Sequence, residues 1–269
     1  SFKSILKGGL KIVKSGSADY VLFLMPGQGE LYRRAKADTS WTQLLGSANG
    51  VNLVAASPEF AQNTTVMIMS TSGDLRVSTD AGNHWIEKGN LAIATTYDFA
   101  TAPGDAREIF LATSNGVFYS NDSGNTFTNK STNLPSEVIN NIAISPNYLI
   151  DRTLFCTTQT QAVYKSTNGG NSWAFYNSGA KITGQTTALD EFSELQISNS
   201  FAADQTVLLS AFDGLFISKD SGVSWTQSKT RENLITGFAL SPHFIDDQKI
   251  IATTYNGGGL YTSVNKGTT

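Results

Sequence analysis

This chain of 269 residues has a single cysteine, two histidines, three methionines and six prolines. One cysteine, Cys156, rules out an internal disulfide and any cysteine-built metal centre. It sits in the strand-like run "RTLFCTT" and reads as a buried core thiol. Two isolated histidines, His84 and His243, fall short of a metal-ligand cluster, and neither belongs to an H-x-x-x-H pattern. Charge is also scarce. Only 15% of residues are Asp, Glu, Lys or Arg, the formal net charge is −3 and the pI is near 5.4. A thin, slightly acidic scatter of this kind argues against nucleic acid as a partner. No apolar run reaches the ~18 residues a membrane-spanning helix needs, so no membrane insertion is expected. The most apolar short stretch, "YVLFLM", fits a buried strand. Helical periodicity is absent, and so are the glycine-rich phosphate-binding motifs that open helices. No cofactor and no metal are expected.

What the chain does contain is a repeat. "STDAGNHW" ends at Trp85, "SNDSGNTF" at Phe127, "STNGGNSW" at Trp173 and "SKDSGVSW" at Trp225, at spacings of 42, 46 and 52 residues. A weaker copy, "RAKADTSW", ends 44 residues earlier at Trp41, and another opens at Ser263 as "SVNKGTT". A period of about 40–50 residues marks a propeller or a solenoid. Its content favours the propeller. Ahead of each box stand two strand-like runs joined by a turn, as in "QTVLLSAF", "DG", "LFISKD". Upstream lies another apolar strand ending in a turn ("LVAASPEF", "IAISPNY", "LQISNSF", "FALSPHF"), and downstream a short fourth run such as "SWTQS". Four strands per period make a propeller blade.

The box itself reads as a turn between third and fourth strands. Asp80, Asp122 and Asp220 are placed to accept hydrogen bonds from backbone N–H groups of their own turn, and Asn168 keeps an acceptor in the fourth copy. Gly82, Gly124, Gly170 and Gly222 supply positive φ. Trp85, Phe127, Trp173 and Trp225 then bury area between blades. In the first copy Lys36 and Asp38 replace the Asp and the Gly, which predicts a looser turn.

On these residues the chain resembles the Asp-box (bacterial neuraminidase repeat) β-propellers of the sialidase-like and sortilin-like kind. The resemblance covers nearly the whole chain. It implies an all-β propeller of four-stranded antiparallel blades, and the repeats together with the two ends of the sequence give six blades in one domain over residues 1–269. In it "SVNKGTT" continues into "SFKSIL", so that residues 1–8 complete the last blade and close the ring. It also implies that the boxes are structural and lie opposite the ligand face.

The ligand face then carries the loops leading into first strands (43–51, 86–95, 128–139, 175–193 and 227–235) and the turns near Ser72, Asn115, Gln159, Asp213 and Asn256. The longest of these loops, from Ala174 to Glu194, carries Tyr176, Asp190, Glu191 and Glu194. Phe212 and Tyr255 occupy equivalent turns beside Asp213 and Asn256, suited to stacking on a sugar or gripping a peptide. Asn52, Asn140, Asn141, Glu194 and Thr236 interrupt apolar first strands as binding or water-holding groups. Of the arginines, Arg33, Arg34 and Arg76 fall on third strands, Arg107 and Arg152 just before second strands, and only Arg231 on the ligand face. Sialidase chemistry, with three arginines on the substrate carboxylate, is therefore not expected. The chain reads as a non-catalytic binding or scaffold module of extracellular, cell-surface or periplasmic location, contacting protein or glycan. No catalytic residue is assigned. The alternative is a glycoside hydrolase using carboxylates of the 174–194 loop, which requires two carboxyl groups facing each other about 5–10 Å apart. Sequons at Asn63, Asn121 and Asn129 occur at the frequency chance gives in so Asn- and Ser-rich a chain.

Overall fold

The computed structural model describes residues 10–15, 18–25, 28–91, 94–136, 138–159, 163–176, 178, 194–211, 214–228, 235–241, 243–254 and 259–268. The chain divides into two compact units, residues 1–129 and 130–269. Each contains three antiparallel sheets.

In the first unit, sheet one is β1 (Leu10–Ser15), β2 (Ala18–Met25), β3 (Glu30–Ala35) and β4 (Thr42–Leu45). Sheet two is β5 (Val51–Ala56), β6 (Val66–Ser70), β7 (Asp74–Ser78) and β8 (Ile86–Asn90). Sheet three is β9 (Thr96–Ala102), β10 (Asp105–Thr113), β11 (Gly116–Ser120) and β12 (Thr128–Asn129). In the second unit, sheet four is β13 (Ile139–Ile144), β14 (Leu154–Thr158), β15 (Val163–Ser166) and β16 (Ala174–Phe175). Sheet five is β17 (Glu194–Ile197), β18 (Val207–Ala211), β19 (Gly214–Ser218) and β20 (Thr226–Gln227). Sheet six has three strands among the described residues: β21 (Ile235–Leu240), β22 (Ile250–Thr254) and β23 (Leu260–Ser263). Every strand pairs with its neighbour in sequence, so each sheet is a meander. Residues 1–8, assigned from the sequence to the last sheet, lie outside the described residues.

Second strands explain the stacking. β6, β14 and β18 are buried at every position ("VMIMS", "LFCTT", "VLLSA"), and for β6 and β18 a neighbouring sheet packs on each face. Successive residues of β6 serve different interfaces. Ile68 joins Leu22, Leu31 and Phe60 between sheets one and two, whereas Met67 and Met69 join Phe99, Ile109 and Leu111 between sheets two and three. In β18, Leu209 packs with Phe155, Phe201 and Trp225, and Leu208 with Phe238, Phe244 and Ile250. Cys156 is buried in β14.

Three features depart from the sequence expectations. The "SPEF"-type segments are single helical turns: α1 (Phe60–Asn63), α2 (Tyr148–Asp151), α3 (Phe201–Asp204) and α4 (Phe244–Asp247). One turn is too short to generate a helical hydrophobic period, so only the buried aromatic that opens each is visible in sequence. The segment 86–95, expected as a loop, begins as strand β8, which pairs with β7 from Val77↔Ile86 to Asp74↔Asn90. Arg107, expected just ahead of a second strand, lies inside the long strand β10 and pairs with Asp105 through two guanidinium bonds of 2.9 and 2.6 Å.

Candidate functional site: the repeated turns and the loop anchors

The repeated turn is built on a buried serine. Ser78, Ser120, Ser166 and Ser218 end their third strands at no more than 2% exposure. Each hydroxyl donates to the residue two positions on, at 2.7–2.8 Å: Asp80, Asp122, Asn168 and Asp220. Each also accepts from the N–H of Gly82, Gly124, Gly170 or Gly222, at 2.8–2.9 Å. The same Asp or Asn oxygen accepts the backbone N–H of His84, Thr126, Ser172 or Ser224 at 2.9–3.0 Å. A side chain at that last position completes the ring of bonds: His84 Nδ1, Thr126 Oγ1 and Ser224 Oγ lie 2.6, 2.7 and 2.5 Å from the second carboxylate oxygen. In the fourth copy the direction is reversed, and Asn168 Nδ2 donates to Ser172 Oγ at 2.8 Å. The glycines take φ of +79 to +94°, where a side chain would be strained.

These bonds hold the aspartates ionised. The Thr126 hydroxyl and N–H bring Asp122 down to about 2, and the bond from the His84 N–H lowers Asp80 further. Burial opposes the shift at Asp220, yet the bonds from Ser224 keep it below the ordinary value.

A second repeated clip went unread in the sequence although its letters recur: "SPEFAQN", "SPNYLID", "SNSFAAD" and "SPHFIDD". Ser145, Ser198 and Ser241 donate at 2.6 Å to Asp151, Asp204 and Asp247, six residues on. The other carboxylate oxygen accepts the N–H two residues further along, opening the second strand (Thr153, Thr206, Lys249; 2.8–3.0 Å). In the first copy Asn63 replaces the acid and its amide donates to Ser57. The two clips meet. The N–H groups of Ala81, Gly169, Ser221 and Lys266 donate to the carbonyls of Thr64, Arg152, Gln205 and Gln248 at 2.9–3.1 Å. Both therefore lie at the same end of sheets two, four, five and six.

Cations donate to the carbonyls of the repeated turns. Arg33 donates to the Ala81 carbonyl (2.6 Å), Lys130 to that of Gly169 (3.3 Å) and Lys165 to that of Ser221 (3.0 Å). Lys165 is also 5.4 Å from the Phe155 ring centroid and 5.3 Å from that of Tyr176, and burial lowers its pKa. The turn aromatics close these junctions. Trp173 Nε1 donates to the Lys130 carbonyl (2.8 Å) and Trp225 Nε1 to that of Tyr176 (3.0 Å). The Trp225 N–H reaches Ser178 O at 2.9 Å. Trp173 and Trp225 are 3% and 5% exposed, whereas Trp41, in the copy with Lys36 and Asp38, is 42% exposed under the Arg34 guanidinium.

Of the residues singled out for binding, Tyr176 and Glu194 are described. Tyr176 is half-buried, with its ring 5.3 Å from Lys165 Nζ beside the turn of sheet five. Glu194 opens β17 and ties it to sheet six: one carboxylate oxygen accepts the Phe238 N–H (3.0 Å), the other the Gln196 amide (2.7 Å). Asn52 donates to Thr96 O at 3.4 Å, and Asn141 to Thr157 at 2.8 Å. Asp190, Glu191, Phe212, Asp213, Arg231, Tyr255 and Asn256 lie outside the described residues. Of the histidines, His84 belongs to its turn, and the His243 N–H donates to Ser241 Oγ ahead of α4.

Among solved structures, the GH74 enzyme of Niastella koreensis superposes with a TM-score of 0.76 at 19% identity, over 98% of this chain and 44% of that one. The GH74 xyloglucanase of Xanthomonas campestris gives 0.69 at 16%, over 98% and 45%. YCF48 bound to a D1 peptide gives 0.61 at 16%, over 94% and 76%. The chain thus spans less than half the length of the two GH74 enzymes, and at these identities the likeness is one of fold. Among curated proteins, none matches by sequence. The sequence model of the DUF6242 beta propeller domain matches residues 3–267. Nearly the whole length is covered and the described strands form successive antiparallel meanders, and the chain belongs to the DUF6242 beta propeller domain family.

Proposed function

We propose that this chain is a non-catalytic binding or scaffold module, contacting protein or glycan through the face opposite its repeated turns, in an extracellular, cell-surface or periplasmic setting. In this reading the turns are Asp-boxes and the six sheets are blades of one ring over residues 1–269. Residues 1–8 supply the fourth strand beside β23.

The observation that carries the reading is how the carboxylates are used. Asp80, Asp122, Asp220 and Asp247 each accept several hydrogen bonds from their own turn, and each has a lowered pKa. A glycosidase acid needs the opposite shift. Glu194, the described acid of the 174–194 loop, fastens one sheet to another. YCF48, solved with a D1 peptide, offers a precedent of similar fold for peptide binding.

A second reading, a glycoside hydrolase with Asp190 or Glu191 as a catalytic acid, draws on the likeness to the GH74 enzymes. A glycan array combined with a broad glycosidase screen separates the two. The binding reading expects ligand capture without turnover, weakened at least several-fold by Tyr255→Ala or Arg231→Ala at an unchanged Tm. Turnover abolished by Asp190→Asn or Glu191→Gln establishes the enzyme instead.

A further inference from the structure

The fourth turn differs from its three Asp-bearing sisters in two adjacent letters. Asn168 stands where Asp80, Asp122 and Asp220 stand, and Gly169 stands where Ala81, Ser123 and Ser221 stand. An asparagine followed by glycine is the sequence in which a backbone nitrogen most easily attacks the side-chain amide, because no side chain hinders the approach. Aspartate at this position would fit without moving a heavy atom. Asn168 Oδ1 already accepts from Ser166 Oγ (2.8 Å) and the Ser172 N–H (3.0 Å), as the carboxylates do in the sister turns. Only the Ser172 hydroxyl must rotate, from accepting the Asn168 amide at 2.8 Å to donating to a second carboxylate oxygen, as Ser224 does to Asp220. The surroundings favour the added charge. Lys130 Nζ lies 3.3 Å from the Gly169 carbonyl and 2.9 Å from Asn171 Oδ1, and the Gly169 N–H is held by the carbonyl of Arg152.

We propose that Asn168 is a site of spontaneous covalent conversion to aspartate, completing a fourth Asp turn. The Gly169 nitrogen, having lost its proton to solvent, bonds to Cγ of Asn168. The Cγ–Nδ2 bond breaks, and ammonia leaves with a proton taken from water. Water then opens the succinimide at Cγ, cleaving the new C–N bond and leaving an aspartate in an unaltered backbone. Opening at the other carbonyl would give isoaspartate, whose extra backbone methylene displaces Gly170 from Ser166 Oγ and breaks the ring of bonds. The closed turn buries Gly169 and holds its nitrogen 3.0 Å from Arg152 O, so attack occurs when the turn opens, and reclosure selects aspartate.

The test is peptide mapping of folded protein aged at mildly alkaline pH. Asn49–Gly50 and Asn115–Gly116 serve as internal comparators, and a synthetic peptide spanning residues 165–173 as the unfolded reference. The expected result is aspartate at 168 in several-fold excess over isoaspartate, with isoaspartate predominant in the free peptide. Asn168→Asp is expected to raise Tm by roughly 1–3 °C. An intact Asn168 in protein whose comparator sites have converted, a product ratio equal to the peptide's, or a lower Tm for Asn168→Asp would each overturn the proposal.

Discussion

A Cβ built on Gly169 would lie 3.0 Å from the Tyr148 hydroxyl, so the tyrosine and the glycine occupy one space. The residues equivalent to Tyr148 in the other helical turns are Phe60, Phe201 and Phe244, which lack that oxygen, and the equivalents of Gly169 include Ala81 and Ser221 at the same positive φ. The expected outcome is energetic coupling. Gly169→Ala should destabilise the protein by about 1–3 kcal/mol, and by less when Tyr148→Phe is present. Denaturant unfolding of the four proteins in this cycle measures it, and strict additivity would show that the contact is unimportant.

The bonds of the repeated turn set a scale for its residues. Asp220→Ala removes the acceptor for Ser218 Oγ, Ser224 N and Ser224 Oγ, and should cost about 1–3 kcal/mol. Trp225→Ala also empties a site in the core between sheets four and five, and should cost about 3–5 kcal/mol. Trp225→Phe keeps most of the ring while deleting the N–H that holds the Tyr176 carbonyl, so its loss should be the smaller one, near 1 kcal/mol. Equal losses for Phe and Ala would mean that the indole bond, rather than burial, dominates.

Acid should loosen the turns. The folded pKa of Asp122 lies at about 2, below its ordinary 3.8, and those of Asp80, Asp220 and Asp247 are lowered too. A depressed folded pKa contributes stability that is present above the unfolded value and lost as pH falls through the folded one. Tm should therefore hold steady above pH ~4 and fall between about 4 and 2. Asp122→Asn should flatten that fall, as followed by scanning calorimetry. An acid limb of unchanged slope in this variant would refute the assignment.

Glu194 offers a test of whether a loop acid is structural. Its carboxylate receives the Phe238 N–H across two sheets, so Glu194→Ala leaves that donor unmet and should cost about 1–3 kcal/mol. Glu194→Gln keeps a carbonyl acceptor and should cost less. Thermal unfolding of both variants decides the matter, and a stability unchanged in Glu194→Ala would free this carboxylate for another role.

The sequence by itself determined the blade unit. Alternating and continuous apolar runs, turn residues between them and a box recurring every 42–52 residues are local signals, and each is fixed by what one strand or one turn needs. Within "QTVLLSAF", "DG", "LFISKD" lie β18 and β19, which pair antiparallel. The Ser…Asp clips went unread although their letters recur, because single helical turns carry no period and their spacing of six residues matches no familiar motif. What only the tertiary structure decided were relations between sheets. That Lys165 would reach Ser221, that Trp225 would hold the Tyr176 carbonyl, and that Glu194 would bind the N–H of Phe238 depend on partners 44 to 56 residues away in sequence. An isolated Tyr, Glu or Lys looks the same in sequence whether it faces a ligand or a neighbouring sheet. The packing of one sheet on the next settles which of the two it meets.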